Sequence, residues 1–229
     1  KEGIIQASNI QTGATWGLDR IDQRTLPLDG NFQSDFNGNG VDVYIVDSGI
    51  REDHVEFTGR ITASMYADTF TSVSDCHGHG THVAGTAAGT TYGVAKSANI
   101  IPVRVLNCEG SGTISDIQAG VNWIITRHNS ATPAVANFSL GGSYNSAINS
   151  LMQALINDGV VTVVAAGNEG ETGDPNACNY SPASAPNAIT VGASTDLDRD
   201  ASFSNIGSCV DLFAPGLGIT SAWISSNSS

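Results

Sequence analysis

Three histidines, His77, His79 and His82, fall within six positions of the stretch Asp75-Cys-His-Gly-His-Gly-Thr-His-Val-Ala-Gly-Thr86. Imidazole is the side chain best suited to move a proton near neutral pH, and glycines beside it let a chain or a substrate approach closely. An acid and an amide stand at comparable points elsewhere. Asp47 follows the short β-branched run Val41–Val46, and Asn168 follows Val160–Ala166 and Gly167. A nucleophilic hydrolase needs a nucleophile, a histidine base, an acid that orients the base, and donors for an oxyanion. Asp47, one histidine of 77–82 and Asn168 are candidates for three of those four roles. Zinc chemistry also uses clustered imidazoles. Here, however, the spacing is not the i, i+4 pair of a metalloprotease helix, and no Glu lies between the histidines.

These residues need elements that bring them together. Val41–Val46 reads as a buried strand, and ligands of open parallel α/β sheets bind at the carboxyl ends of strands, which is where Asp47 stands. Val83–Gly89, rich in Ala and Gly, predicts a short, closely packed helix. Asn99–Leu106 is the next strand. Ile114, Ile117, Val121, Ile124 and Ile125 recur at helical spacing and predict a helix ending near His128-Asn129. Val135–Leu140 returns as a strand. Ile148, Leu151, Met152, Leu155 and Ile156 form a second stripe stopped by Gly159, and Val160–Ala166 is another buried strand. This β-α-β-α-β alternation predicts an α/β fold with a parallel sheet wrapped by helices and right-handed crossovers. Past residue 169 the pattern changes to loops and short strands at Ala188–Gly192, Val210–Ala214 and Ile219–Trp223. Residues 1–18 are polar and lightly apolar, and 1–13 read as an extended N-terminal arm. No interdomain linker or repeat interrupts the 229 residues, which read as one domain.

A formal charge of −13 excludes a nucleic-acid groove or an anionic membrane surface as partner, since both need clustered Lys and Arg. The longest largely apolar run, Val160–Ala166, has seven residues, far short of the roughly 20 of a membrane helix. The chain starts at Lys1 with neither a signal sequence nor an initiator Met, which suggests a mature, processed chain. Cys76, Cys108, Cys178 and Cys209 include no Cys-x-x-Cys pair. Their even number favours two disulfides and an oxidising, extracellular setting, with three pairings open. Asp19, Asp22, Gln23, Asp29 and Asn31 place five oxygen donors within thirteen residues, a density that suits calcium and equally an ordinary capped turn with a solvated loop. Asp35-Phe-Asn-Gly-Asn-Gly40 opens like an EF-hand loop, but Val46 stands where the bidentate Glu belongs, so a Gly-rich turn explains it.

Val46-Asp47-Ser48-Gly49, His79-Gly80-Thr81-His82-Val83-Ala84-Gly85-Thr86 and Ala165-Ala166-Gly167-Asn168 together resemble the subtilisin-type serine peptidases. Trp16-Gly-Leu-Asp-Arg-Ile-Asp-Gln23, Tyr92-Gly-Val-Ala-Lys96, Asn179-Tyr-Ser-Pro-Ala-Ser184 and Phe203-Ser-Asn205 point to the proteinase K branch and its aqualysin-like secreted bacterial members. The resemblance runs from about residue 14 to the end. It implies a three-layer subtilisin-like α/β fold and a secreted endopeptidase of broad specificity, favouring apolar or aromatic residues before the cut.

Residue by residue, the resemblance implies Asp47 as orienting acid, His79 as general base and Asn168 as oxyanion donor, with His77 and His82 structural. His77 stands where the family commonly has asparagine. Gly110, Ser111 and Gly112, and Ser139, Leu140, Gly141 and Gly142, are implied as edge segments flanking a peptide substrate. Ala165, Ala166 and Gly167 are implied to line the first specificity pocket. Calcium is the implied cofactor, structural in role, at Asp19, Asp22, Gln23, Asp29 and Asn31 and at the carbonyls of Pro186 and Ala188 with Asp211. The disulfides are implied as Cys76–Cys108 and Cys178–Cys209. The family's nucleophile lies in a Gly-Thr-Ser-Met-Ala segment and a following central helix, neither of which occurs in these residues, so no serine is assigned. The resemblance then implies a chain cut or truncated before its nucleophile, partnered by its own C-terminal fragment and, before maturation, by an N-terminal propeptide. The alternative is an inactive homologue with a binding or regulatory role. Asn137, Asn179 and Asn227 begin weak Asn-x-Ser glycosylation signals.

Overall fold

The structure is a computed structural model that describes residues 9–226. The arm over 1–8 and the signal at Asn227 lie outside the described residues. In chain order the elements are β1 (Asn9–Thr12), α1 (Trp16–Ile21), β2 (Asn31–Ser34), β3 (Asp42–Asp47), β4 (Met65–Tyr66), α2 (His79–Ala88), β5 (Asn99–Arg104) and α3 (Ile114–Arg127). They continue with β6 (Ala134–Phe138), β7 (Gly142–Ser143), α4 (Ser146–Asn157), β8 (Val161–Ala165), β9 (Tyr180–Ser181), β10 (Ile189–Ser194) and β11 (Leu212–Pro215).

Seven strands form one sheet in the order β11-β10-β8-β6-β3-β5-β4, and every pairing within it is parallel. β3 lies between β5 and β6, so the chain leaves β3 on one side and returns on the other. This order reversal is the switch point where a doubly wound sheet opens a crevice at its carboxyl edge. Alternation along β3 builds the layers. Tyr44 and Val46 join Ile117, Val121 and Ile124 of α3 and Ile148, Met152 and Leu155 of α4 in one core, while Val43 and Ile45 join Ala84 and Ala88 of α2 in the other. The result is the expected three-layer α/β architecture, a parallel sheet with helices on both faces. α3 and α4 keep the stripes read in sequence, and each begins at a capped residue: Thr113 with Asp116 in a capping box, and Asn145 over Ala147 and Ile148.

Within the described part of the arm, β1 is extended and pairs antiparallel with β2, and α1 begins beyond it at Trp16. Two expectations need correction. α2 starts at His79, not near Val83, because buried acceptors ahead of it satisfy its first amides, a long-range effect invisible to local helix signals. Ile219–Trp223 is not a strand. Its Ile219 carbonyl bonds to His82 Nε2 at 3.0 Å, and its Ser221 hydroxyl donates to the His82 carbonyl at 2.8 Å. Ala222 is buried against α2, and the Trp223 ring meets the His82 ring edge-on at 6.1 Å. The segment is therefore anchored on a helix rather than on a neighbouring strand. His82 has the structural role expected of it.

Candidate active site

Asp47 ends β3 with its side chain fully buried. Its backbone carbonyl accepts the amides of Val105 and Leu106 at 2.8 and 3.1 Å, and its carboxylate accepts the Ser48 amide at 2.7 Å. The same carboxylate meets His79 Nδ1 with both oxygens, at 2.8 and 2.9 Å. His79 is the first residue of α2. α2 approaches the strand end this closely because position 80 is glycine: a Cβ there would fall 2.1 Å from the Gly49 carbonyl oxygen and 3.2 Å from Asp47 Cβ. Asp47 thus fixes the imidazole by Nδ1 and leaves Nε2 as the nitrogen that can take a proton. The hydrogen bond to Asp47 raises the His79 pKa above the ordinary histidine value. Burial opposes that shift, and the charges of Asp47 and Asp75 add to it.

Asp75 and Ser48 hold this pair in place, and the sequence reading gave neither a role. The residue before α2, Gly78, has no capping side chain. Asp75 supplies the missing acceptor: Oδ1 takes the amides of His77 and Gly78 at 2.9 and 2.8 Å, and Oδ2 takes the Thr81 amide and hydroxyl at 3.0 and 2.6 Å. Ser48 Oγ donates to Asp75 Oδ1 and accepts the Gly80 amide, both at 3.0 Å. A carboxylate at a helix N-terminus is favoured by the unpaired amides and by the helix dipole. The available signal was an Asp a few residues before a helix start that lacks its own cap.

Cys76–Cys108 ties the histidine loop to the loop after β5, and Cys178–Cys209 closes a second loop pair, so both implied pairings are present. Arg104, buried, donates to the Ser72, Ser74 and Leu106 carbonyls and contacts Cys76 Sγ at 3.1 Å, fixing the same loop from behind.

A cleft of about 490 Å³ opens beside His79, lined by Gly110–Gly112 on one side and Ser139–Gly142 on the other. A smaller chamber of about 120 Å³ shares Ser139–Gly142 and is lined further by Ala165, Ala166, Gly167 and Asn168. The structure thus brings Gly110–Gly112, Ser139–Gly142 and His79 to one cleft and Ala165–Asn168 to a chamber that shares Ser139–Gly142 with it. Asn168 sits just past β8, and the loop is pinned behind it by Glu169. One Glu169 carboxylate oxygen accepts the Asn168 amide at 3.0 Å and the Asn205 side-chain amide at 2.5 Å. His77, read as structural, also lines the cleft. Asn137 in β6 donates its amide to Ser139 Oγ, and Asn179 donates to Asp174.

The oxygen-rich loop lies away from this cleft. The buried Asp19 carboxylate accepts the Asp29 and Gly30 amides at 3.2 and 2.6 Å, Asp22 accepts the Gln33 amide, and Asp29 accepts the Asn31 amide. Gln23 and Asn31 spend their amide nitrogens on loop carbonyls. Asp211 accepts the Thr190 amide at 2.8 Å near the start of β10. Among the described residues, no group of three or more His, Cys, Asp or Glu side chains is arranged to hold a metal.

The doubly wound parallel sheet with the Asp47–His79 pair at its carboxyl edge has a subtilisin-like architecture. The chain belongs to the subtilase family, whose model matches residues 38–229. It is 54% identical over 224 residues to an extracellular serine proteinase of Thermus sp. (strain Rt41A), covering 97% of this chain and 53% of the relative. It is 51% identical over 221 residues to alkaline serine exoprotease A of Vibrio alginolyticus, covering 96% of this chain and 40% of the relative. The chain therefore spans about half the length, or less, of these curated relatives. A solved structure of a cold adapted subtilisin-like serine proteinase matches at a TM-score of 0.87 and 51% identity, over 93% of this chain and 76% of that one.

Proposed function

We propose that the protein is an extracellular serine endopeptidase that hydrolyses peptide bonds through an acyl-enzyme. One observation carries this reading: the bidentate Asp47–His79 contact faces a cleft flanked by Gly110–Gly112 and Ser139–Gly142. Asp47 holds the Nδ1–H tautomer and stabilises the imidazolium that forms when Nε2 takes the proton of a serine hydroxyl. Asn168 donates its side-chain amide to the carbonyl oxygen as charge develops there. The peptide adds as a strand between the two glycine-rich edges, where backbone pairing accepts many sequences. The residue before the cut enters the chamber at Ala165–Gly167, which favours apolar or aromatic side chains. The nucleophilic serine is not assigned within these 229 residues. It belongs to the segment carrying the family's Gly-Thr-Ser motif, as a cleaved C-terminal fragment or a continuation, with a propeptide as the partner before maturation. The two disulfides and the printed description of the Thermus relative as extracellular support secretion.

Labelling with an alkyl fluorophosphonate tests the reading. The full-length protein takes up one equivalent on serine, and His79→Ala abolishes uptake within the assay period. A folded wild-type protein that takes up no label and cleaves no peptide is instead the binding or regulatory homologue.

Calcium fits the donor chemistry of the two oxygen-rich clusters. The donor types are those calcium takes, carboxylate and amide oxygens, and the Asp19, Asp22 and Asp29 carboxylates each accept only one or two loop amides, although among the described residues they do not converge as a metal cluster. Asp19, Asp22, Gln23, Asp29 and Asn31 would hold one ion, and the Pro186 and Ala188 carbonyls with Asp211 a second. Both would tie loops down without entering the chemistry. Removing calcium with a chelator lowers Tm by about 5–10 °C, and calcium but not magnesium restores it. A Tm unmoved by either treatment sinks this reading.

A further inference from the structure

The third imidazole of the histidine stretch does not lie in the packed interior. His77 lines the cleft beside His79, the two rings meeting edge-on with centroids 6.2 Å apart. Its backbone amide is held by Asp75, and its ring abuts Gly110, where an added Cβ would fall 2.9 Å from His77 Nε2. The ring is therefore wedged between the base and one substrate edge. Nδ1 is buried without a hydrogen-bond partner. A neutral imidazole carries one proton, and a buried N–H with no acceptor is rarer than a buried acceptor left bare. The favoured tautomer keeps the proton on Nε2, on the Gly110 side of the ring. Glu109 also lines the cleft, but with an exposed side chain at its lip.

From this arrangement, and resting on the peptidase reading above, we infer that His77 is a specificity-determining residue whose Nε2–H selects a hydrogen-bond acceptor side chain on the substrate residue two positions before the cut. The geometry of a strand dictates which residue meets it. Successive side chains of a bound strand point to opposite faces. With the residue before the cut in the chamber at Ala165–Gly167, its amino-side neighbour faces His77, His79 and Gly110. An Asn, Gln, Asp or Glu side chain there accepts from Nε2, whereas an aliphatic one leaves the donor without a protein partner.

The test compares matched peptides that differ only at that position, Asn against Ala, with the full-length protein. Wild type favours the Asn peptide by about three- to tenfold in kcat/KM, the range of one neutral hydrogen bond. His77→Phe keeps a ring against Gly110 and His79 but removes the donor, and the ratio falls to about one. His77→Ala gives the same result if the phenyl ring disturbs the loop. Because the readout is a ratio within one protein, it is independent of the fraction of active enzyme. A wild-type ratio near one, or a ratio that survives both substitutions, overturns this assignment alone. Failure of the wild type to cleave any peptide overturns it together with the peptidase reading.

Discussion

Asp47→Asn lowers kcat of the full-length protein by about 10⁴-fold while KM stays within a few fold. Asparagine matches the shape of the buried side chain and keeps an oxygen for the Ser48 amide, so the fold has no reason to change. The chemistry does change. An amide nitrogen turned toward His79 Nδ1 must donate, which forces the imidazole proton onto Nε2, the atom that has to accept from the serine. The substitution also removes the largest cause of the raised His79 pKa. The base works only when neutral, so residual activity of the variant sets in at lower pH than in wild type. Stability shifts in the matching sense. A histidine with a raised folded-state pKa contributes stability fully below its unfolded pKa and loses it as pH rises through the folded value. The variant lacks that contribution, so its stability falls less over the same rise. A kcat within tenfold of wild type, or an acid limb that does not move downward, would show that Asp47 does not govern this imidazole.

What the sequence exposes follows from how local each signal is. The β3 run and the α3 and α4 stripes are periodicities of adjacent residues, and the structure keeps all three within a few positions. Asp47 is legible because it ends a β-branched run, whereas His79 is singled out from the three histidines only by the family resemblance, since local signals put the helix start near Val83. The disulfide pairings were open to spacing alone and needed the family resemblance, since a chain of widely separated cysteines carries no distance information. Ile219–Trp223 reads as a strand by composition. Its hydrogen bonds go to the backbone and ring of His82, 137 positions away from Ile219 for the ring contact. Ser48 is invisible for the same reason, because its work is side-chain reach across the turn between β3 and α2, and Asp75 shows only as an acid a few residues ahead of an uncapped helix start. His77 reads as structural from its sequence, and its place at the cleft is not legible there because it depends on Gly110 in another loop.

Asp75→Ala removes about 4 kcal/mol of stability and lowers kcat besides, the larger part of the stability loss coming from donors left without partners. Five hydrogen bonds end on this nearly buried carboxylate, from Ser48, His77, Gly78 and twice from Thr81. Individually each bond to a charged acceptor is worth about 1.5–3 kcal/mol, but they share one group and do not add. Water entering the space can satisfy some of the donors, which keeps the total below the sum. The effect on kcat arises because the same contacts set where α2 begins, and His79 is its first residue. Asp75→Asn separates the two contributions. It keeps the volume and one acceptor but loses the charge that helps raise the His79 pKa, so the acid limb moves down by less than in Asp47→Asn. Its stability loss is about half that of the alanine variant, because one oxygen becomes an amide group facing donors. Urea unfolding monitored by tryptophan fluorescence reads the stability terms and the pH profile of kcat/KM reads the charge. If both variants unfold at the wild-type midpoint, the helix start is held by Ser48 and the disulfide instead, and Asp75 is a bystander to the placement of the base.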